Sequence, residues 1–377
     1  MMDFDFSKTE QSLSADVKAL FNEDSTRDLA RLEISDTEES RRILLRWIER
    51  LSRIGYLDLG LDDGRNSPGL TAAQETLATL SPSLFLCTEM TARVFGRLLS
   101  VYASPEQKSR LLPRLRAGSL LGTVALSEGG MSLEGHRLNT RGAPTETDLE
   151  VTGEKNYVLN ATVSDRIAIA GETDSGTAFF LLSPETRGIS VGRRLSTLGY
   201  REVAVTSLSL HKCIVSREDL VGTFSDSAPF ESLRMWEDQV LAAAGLGLMH
   251  RSFDAAVFHA KNHKSGGKPI IAYQEVGFKL AEMLTVIHAA QLLAYRAAWM
   301  GETRDSEASA LVRCAKVFCS EGAEEVASKA IQILGAEGLV LGNPAEESFR
   351  DAKFLQVAGT STEISRVKLG EDVLGRA

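Results

Sequence analysis

The hydrophobic period of the chain changes twice, and this order restricts the fold more than any other feature. From Phe6 to about Gly118, apolar residues recur every three or four positions, as in RRILLRWIERLSRIGYL, which predicts helices. Between Leu120 and about Gly222 the period is two, in runs such as IAIAGE and TAFFLLSP that favour strands. After Phe230 the helical period returns. This order excludes a doubly wound fold, in which strands and helices alternate throughout.

The changes of period predict a multi-domain α+β protein. We expect an N-terminal helical domain at 1–118, a middle antiparallel β domain at 119–225 and a C-terminal helical domain at 226–377. One helix start is also predicted, within ASPEQKSRLLPRLRAG. There Ser104 can cap, Pro105 takes the first helical position and Gln107 can bond back to the cap.

Size and charge exclude several classes of protein. The 377 residues, 43% of them hydrophobic, can bury a large core. The net charge of -9 includes no lysine or arginine block, which disfavours a nucleic-acid surface. No apolar run approaches the roughly 20 residues that span a bilayer, so we expect no membrane segment. The acidic start MMDFDFSKTEQ has no apolar signal region, which predicts a cytoplasmic protein.

The cysteines and histidines predict neither disulfides nor a metal site. Four cysteines lack CxxC spacing and lie in apolar or helical surroundings, which favours buried, reduced thiols. None of the six histidines falls in an HExxH-like pair.

Several segments, in order along the chain, resemble the acyl-CoA dehydrogenase family. They include YASPEQKSRLLPRLRAGSLLGTVALSEGG, VTGEKNYVLNATVSDRIAIAGE, GKPIIAYQEVGFKLAEM and QILGAEGLVLGNPAEESFRDAK, and the resemblance extends from about Leu51 to the C-terminus. It implies a C-terminal four-helix bundle, a tetramer and FAD at subunit interfaces. It also implies removal of an α-proton from an acyl thioester, hydride transfer to the flavin and reoxidation by an electron-transferring flavoprotein.

The family's usual catalytic base is missing from this sequence. In many members it is the glutamate of a YEGT motif after an Arg-Asp pair. Here Arg350 and Asp351 match that pair, but VAGTSTE places Ala358 where the glutamate would stand. Glu363 lies nearby, either as a substitute base or as an ordinary carboxylate in the first turn of a helix.

A second base position is used in the isovaleryl and long-chain branches of the family. There a glutamate precedes an LAGGPLGLM-like run. WEDQVLAAAGLGLMHR aligns with that run without a gap and puts Glu237 at the equivalent position. A carboxylate in an apolar pocket is a competent base near neutral pH. The alternative is that Glu237 is only an acidic residue in the first turn of a helix. Asp238 stands beside it, where the family usually has arginine.

The resemblance also implies FAD contacts, some retained and some altered. His263 and Gly266 replace an arginine and a phenylalanine that reach the FAD of a neighbouring subunit, and Ala336 replaces a glycine. A helix C-cap would explain Gly335 nearly as well as a phosphate contact, and an ordinary core tyrosine is the alternative for Tyr157. The residues matched to cofactor positions are Ser127, Ser132, Tyr157, Gln274, Gln332, Gly335 and Thr360.

Two functional classes follow from these matches and departures. The first is an active FAD-dependent dehydrogenase of an acyl thioester, either acyl-CoA or an acyl chain on a carrier protein, with Glu237 as base. The second is a catalytically impaired subunit that pairs with an active homologue in a hetero-oligomer.

Overall fold

The computed structural model describes residues 8–62, 64–129, 138–302 and 307–375. Its N-terminal part is helical, and a π-helical turn at Met90–Phe95 joins two of the helices. These helices are α1 (Lys8–Ala19), α2 (Glu23–Ala30), α3 (Thr37–Arg53), α4 (Pro68–Leu80), α5 (Pro82–Glu89), α6 (Gly96–Tyr102) and α7 (Pro105–Arg116).

The predicted capping box at the start of α7 is confirmed. The Gln107 amide N–H donates to Ser104 Oγ at 3.2 Å, and the Ser104 N–H donates to Gln107 Oε1 at 2.9 Å. The Gln107 side chain also donates to the carbonyl oxygens of Glu218 and Leu220. One residue thus caps the helix and joins it to the edge of the neighbouring sheet.

The middle of the chain forms a single eight-stranded sheet with the order β6-β7-β3-β2-β4-β5-β8, in which β1 pairs with β4. The strands are β1 (Gly122–Ala125), β2 (Arg141–Pro144), β3 (Leu149–Leu159), β4 (Arg166–Thr173), β5 (Gly176–Leu182), β6 (Ile189–Val191), β7 (Val205–Val215) and β8 (Leu220–Phe224). The expectation of a wholly antiparallel sheet is wrong in one respect, because β1 and β2 both pair with β4 in parallel. The chain between β1 and β4 is long enough to return in the same direction, which a tight hairpin does not allow.

The C-terminal part is a helical bundle built around one long helix. Its helices are α8 (Ala228–Asn262), α9 (Gln274–Glu302), α10 (Ala308–Leu334), α11 (Pro344–Val357) and α12 (Thr362–Val373); a short hairpin, β9 (Lys264–Ser265) and β10 (Lys268–Pro269), follows α8. Glycines let α8 approach its neighbours closely. A Cβ on Gly245 would lie 2.6 Å from the Cys319 carbonyl oxygen of α10, and one on Gly247 would lie 2.4 Å from Ala78 Cβ of α4. Helix α8 is therefore packed between the N-terminal helices and the rest of the bundle.

The C-terminal bundle contains one long apolar helix with an exposed face. By length and composition alone, the stretch Gln274–Gly301 in α9 could cross a membrane. The mean hydropathy of its most apolar part is 1.3, and only 17% of that part is buried. It packs against α8 and α10 in the bundle. Its outer face exposes Phe278 and Leu292. Length and composition do not by themselves make this helix a membrane segment. The exposed Phe278 and Leu292 do show that its outer face is unusually apolar.

A second close approach joins the sheet to the bundle. The loop before β7 meets α11, where a Cβ on Gly199 would lie 2.5 Å from the Arg350 carbonyl oxygen. The Tyr200 N–H donates to Asp351 Oδ1 at 2.5 Å, and Arg350 Nη1 donates to the Leu198 carbonyl at 2.8 Å. Burial raises the pKa of Asp351 to about 7, although the Tyr200 hydrogen bond opposes the shift. The predicted Arg-Asp pair is thus a joint between two domains.

Candidate active site

A pocket lies where the N-terminal helices, the sheet and α8 meet. Its empty volume is about 430 Å³, which includes the solvent-filled space at its mouth. Three residues singled out from the sequence, Ser127, Tyr157 and Glu237, line it together. Its apolar wall includes Met90, Val94, Val124 and Leu126.

The wall that carries Ser127 is held by a buried ion pair. Lys155 on β3 is fully buried, and its Nζ lies 3.1 Å from the Leu126 carbonyl oxygen and 2.6 Å from Glu128 Oε1. Burial lowers the pKa of Lys155. Burial also opposes ionisation of Glu128, but hydrogen bonds from Lys155 and the Asn139 N–H outweigh it and lower the pKa of that carboxyl. The pair fixes the chain on both sides of Ser127. Sequence reasoning missed it, because the two residues belong to different segments.

Tyr157 is at the pocket and is not a core tyrosine. The register of β3 against β7 shifts between Lys155 and Val158, and Tyr157 has a φ of +55°. A non-glycine residue seldom adopts this conformation, and such strain is typical of functional sites. The side chain is 70% exposed. The irregular strand thus presents an aromatic ring at the pocket instead of burying it in the sheet.

Glu237 projects from the third turn of α8 into the pocket. Its side chain is only 17% exposed, and Arg234 Nη1, one turn earlier, donates to Glu237 Oε2 at 2.6 Å. Arg234 also lines the pocket. The pocket therefore contains a carboxylate with a guanidinium on one of its two oxygens. Arg234 was not identified from the sequence, although its spacing of three residues on a helix is a usual one for such a pair.

Asp238, the neighbouring acid, points elsewhere. It is 2% exposed and accepts a hydrogen bond from the Thr360 N–H at 3.0 Å. Burial raises the pKa of Asp238 to about 6, while the Thr360 hydrogen bond and the nearby Lys316 charge oppose that shift. The buried Lys316 ammonium donates to the Thr360 and Gln356 carbonyl oxygens. Asp238 on α8 and Lys316 on α10 are thus both hydrogen-bonded to Thr360, in the turn after α11.

That turn brings the two base positions of the family together in space. Ala358 ends α11, and a Cβ on the following Gly359 would lie 2.8 Å from Asp238 Oδ1 and 3.5 Å from Glu237 Cγ. Position 358 is therefore next to the turn of α8 that carries Glu237. Glu363, the other carboxylate considered, is exposed in the first turn of α12. Its own backbone hydrogen bond and Ser361 lower its pKa, as expected for a helix-start carboxylate.

The other residues matched to cofactor positions do not reach this pocket. Thr360 is buried and bonded to Asp238 and Lys316 as described. Gln274 and Gln332 are exposed, at the start of α9 and near the end of α10. Gly335 is the C-cap of α10 with a φ of +61°, which confirms the helix-cap interpretation. Ser132 lies outside the residues that the structure describes.

Gln274, Gln332 and Gly335 lie at the opposite end of α8 from Glu237. His263, matched to the arginine that reaches a neighbour's FAD, is 26 residues beyond Glu237, or about 39 Å along a helix with a 1.5 Å rise per residue. Glu337, two residues after Gly335, contacts His259 at that same end. The predicted cofactor residues thus form two groups too far apart to hold one flavin ring between them.

Comparisons with known proteins agree with this architecture. The family described as acyl-CoA dehydrogenase, C-terminal domain, matches residues 234–374. The mitochondrial short-chain specific acyl-CoA dehydrogenase of Sus scrofa is 25% identical over 364 residues, which cover 92% of this chain and 88% of that protein. Butyryl-CoA dehydrogenase from Megasphaera elsdenii has the same fold, with a TM-score of 0.87 at 23% identity over 99% of this chain and 100% of the other. The prolyl acyl carrier protein oxidase AnaB has a TM-score of 0.86 at 23% identity, over 98% and 100%.

Proposed function

Because the chain belongs to the acyl-CoA dehydrogenase family, we propose that it oxidises an acyl thioester between its α- and β-carbons, with Glu237 as the base. The carboxylate of Glu237 in the pocket shared with Ser127 and Tyr157 is the observation that supports this assignment most directly. An exposed carboxylate at the start of α8 would have argued against it.

The residues around the pocket suit the ring system of FAD, the cofactor of this family. Apolar side chains form one wall, Tyr157 presents an aromatic face, and Ser127 and Asn156 offer hydrogen-bonding groups at the edge. FAD, when bound, supplies the acceptor for the hydride that leaves the β-carbon. The chain's own residues must bind the thioester, exclude water and remove the α-proton.

Glu237 has one oxygen suited to the proton transfer. Arg234 occupies Oε2, and among the described residues Oε1 has no hydrogen-bond partner. The α-proton is therefore taken by Oε1 as the α-carbon and β-carbon become doubly bonded. Asp238 is a poorer candidate, because its carboxylate faces Thr360 and Lys316 and does not line the pocket.

A second copy of the chain is part of the proposal. Gln274, Gln332 and Gly335 are too far from Glu237 to contact an FAD ring in the pocket of their own chain, but they can contact FAD bound in the pocket of another subunit. The apolar outer face of α9, with Phe278 and Leu292 exposed, offers a surface that association would cover. We expect a homo-oligomer and an electron-transferring flavoprotein as the electron acceptor.

The second candidate function is the impaired subunit of a hetero-oligomer. The observation that favours it is the charge at the far end of α8, where His263 replaces an arginine and Glu337 adds a carboxylate. A diphosphate is bound less well there, since a bidentate guanidinium is lost and a negative charge gained. In this case the Glu237 pocket would belong to a chain that depends on an active partner.

The visible spectrum of the purified protein separates the two candidates. We expect flavin absorption that bleaches when acyl-CoA esters are added anaerobically, with an acyl-carrier thioester as a parallel substrate. Size-exclusion chromatography with light scattering reports the oligomer. A colourless protein that copurifies with a homologue would reject the first candidate in favour of the second.

A further inference from the structure

The C-terminal end of α8 carries two histidines four residues apart, and a carboxylate from another element meets them. His259 lies in the last turn of α8 and His263 is its C-cap, while Glu337 comes from the 3-10 helix Gly335–Leu339 that follows α10. His259 Nδ1 lies 3.1 Å from Glu337 Oε2. The two imidazole rings are nearly parallel, with centroids 4.6 Å apart.

These three side chains offer a convergent donor set. One atom of each, an imidazole nitrogen or a carboxylate oxygen, lies within 4.8 Å of the other two. Around a tetrahedral zinc ion with bonds of about 2.0–2.2 Å, ligand atoms are separated by about 3.3–3.6 Å. His259 Nδ1 and Glu337 Oε2, 3.1 Å apart, are already close to that spacing. His263 is exposed, so a change of its side-chain torsions can bring its nitrogen inward.

We propose that His259, His263 and Glu337 bind a divalent transition-metal ion of the zinc class, with water completing the coordination. Imidazole and carboxylate ligands suit such ions, and two histidines at i and i+4 on a helix are a usual part of these sites. The sequence predicted no metal site, because HAKNH lacks the glutamate of HExxH. The proposed function places this same end of α8 at the pocket of a second copy, but zinc binding is measured directly and its outcome does not depend on the flavin reaction.

One of the three ligands is held in place by burial. His259 is 8% exposed, so its ring orientation is fixed by packing, whereas Glu337 and His263 are exposed and give access to solvent. The neighbouring Lys261 and Lys264 are also exposed. Their repulsion of a cation is screened by water and salt.

Zinc binding by the untagged, full-length protein tests the proposal. After treatment with EDTA and dialysis, we expect calorimetric titration with ZnCl2 at pH 7.5 to show one saturable ion per chain. His263→Ala and Glu337→Gln each remove one ligand atom, so each should weaken binding by at least about tenfold, the effect of disturbing even outer partners of a metal site. The control is His211→Ala, which removes an exposed histidine from β7.

Structural readouts keep the test independent of activity. Both ligand variants change exposed side chains, so unchanged far-UV circular dichroism confirms that they fold. The Zn-edge X-ray absorption spectrum of the loaded protein should show nitrogen and oxygen ligands without sulfur, which excludes binding by the four cysteines. Absence of saturable binding to the wild-type chain, or zinc affinity in both ligand variants equal to that of the wild type, would reduce the cluster to a stacked histidine pair with a hydrogen bond.

Discussion

The two ends of α8 differ in how their charged groups are compensated. At the N-terminal end Glu237 and Asp238 are largely buried, and each has a cation or a backbone N–H beside it. At the C-terminal end Glu337 has a side chain that is 67% exposed, and its partner is a histidine. A buried charge needs fixed partners, whereas an exposed one relies on water. We therefore expect substitutions at the first end to change activity and stability strongly, and substitutions at the second to act mainly on ligand binding.

The largest expected effect is on catalysis, at Glu237. Glu237→Gln keeps the shape of the side chain but cannot accept the α-proton, so dehydrogenation should fall by about 10³-fold, within the usual range for loss of a general base. The visible flavin spectrum should be retained. The measurement is anaerobic bleaching of the flavin by the best acyl thioester.

Two variants control that result. Glu231→Gln, at an exposed position in the first turn of α8, should leave the rate unchanged. Ala358→Glu, added to Glu237→Gln, should restore part of the activity, because the turn after residue 358 packs against Glu237. Full activity in Glu237→Gln alone would remove Glu237 from the mechanism.

A large loss of stability is expected for Lys316→Met. The variant removes the hydrogen bonds from Lys316 to the Thr360 and Gln356 carbonyl oxygens and the nearby charge that favours ionised Asp238, and each buried polar group left without a partner costs about 1–3 kcal/mol. Urea unfolding followed by circular dichroism measures the change. A loss below about 1 kcal/mol would mean that the N-terminal end of α8 is more hydrated than its burial indicates.

The pH dependence of stability should reveal the raised pKa of Asp238. Its folded-state pKa, about 6, is above the ordinary value of 3.8, so between these values the folded chain binds more protons than the unfolded one. The free energy of unfolding then falls as pH rises through this window, by roughly 2–3 kcal/mol from this residue, and levels off above pH 6.

Asp238→Asn removes this contribution, so its stability relative to wild type should increase from pH 4 to pH 7. The attraction of Lys316 acts only while Asp238 is ionised and is already included in the folded-state pKa of Asp238, so it does not change the sign of this slope. Unfolding free energies at several pH values give the comparison. Parallel curves for the two proteins would show that Asp238 titrates normally.

The smallest expected effect concerns the C-terminal end of α8. Glu337→Gln in the metal-free protein should change the free energy of unfolding by less than about 0.5 kcal/mol, because the carboxylate is exposed. The same urea titration measures it. A loss comparable to that of Lys316→Met would show that charged groups at the two ends of α8 contribute equally to stability.

Local patterns predicted the architecture and part of the pocket. The change of hydrophobic period placed helices on both sides of a sheet, and Ser104, Pro105 and Gln107 marked a helix start that the structure confirms. Glu237 was found because it precedes a run with a known counterpart. These signals depend on residues close together in sequence.

The remaining features depend on contacts between distant segments. Asp238 meets Thr360 across 122 residues, and His259 meets Glu337 across 78. The parallel pairing of β1 with β4 is likewise non-local. No period or spacing in a single sequence encodes such contacts, so the charge compensation of Asp238 and the histidine cluster became visible only in the fold.

The joint at Gly199 has a mechanical consequence. Because main chain rests on main chain there, with the Tyr200 amide anchored to Asp351, the sheet and bundle cannot slide past one another by changing side-chain rotamers. The sheet and α8 supply opposite sides of the pocket that contains Tyr157 and Glu237, so we expect its width to change little when a ligand binds. If the proposed function is right, acyl groups enter and leave through movement at the rim of this pocket, and a larger residue at position 199 would push the sheet away from α11 and change the distance between the two sides of the pocket.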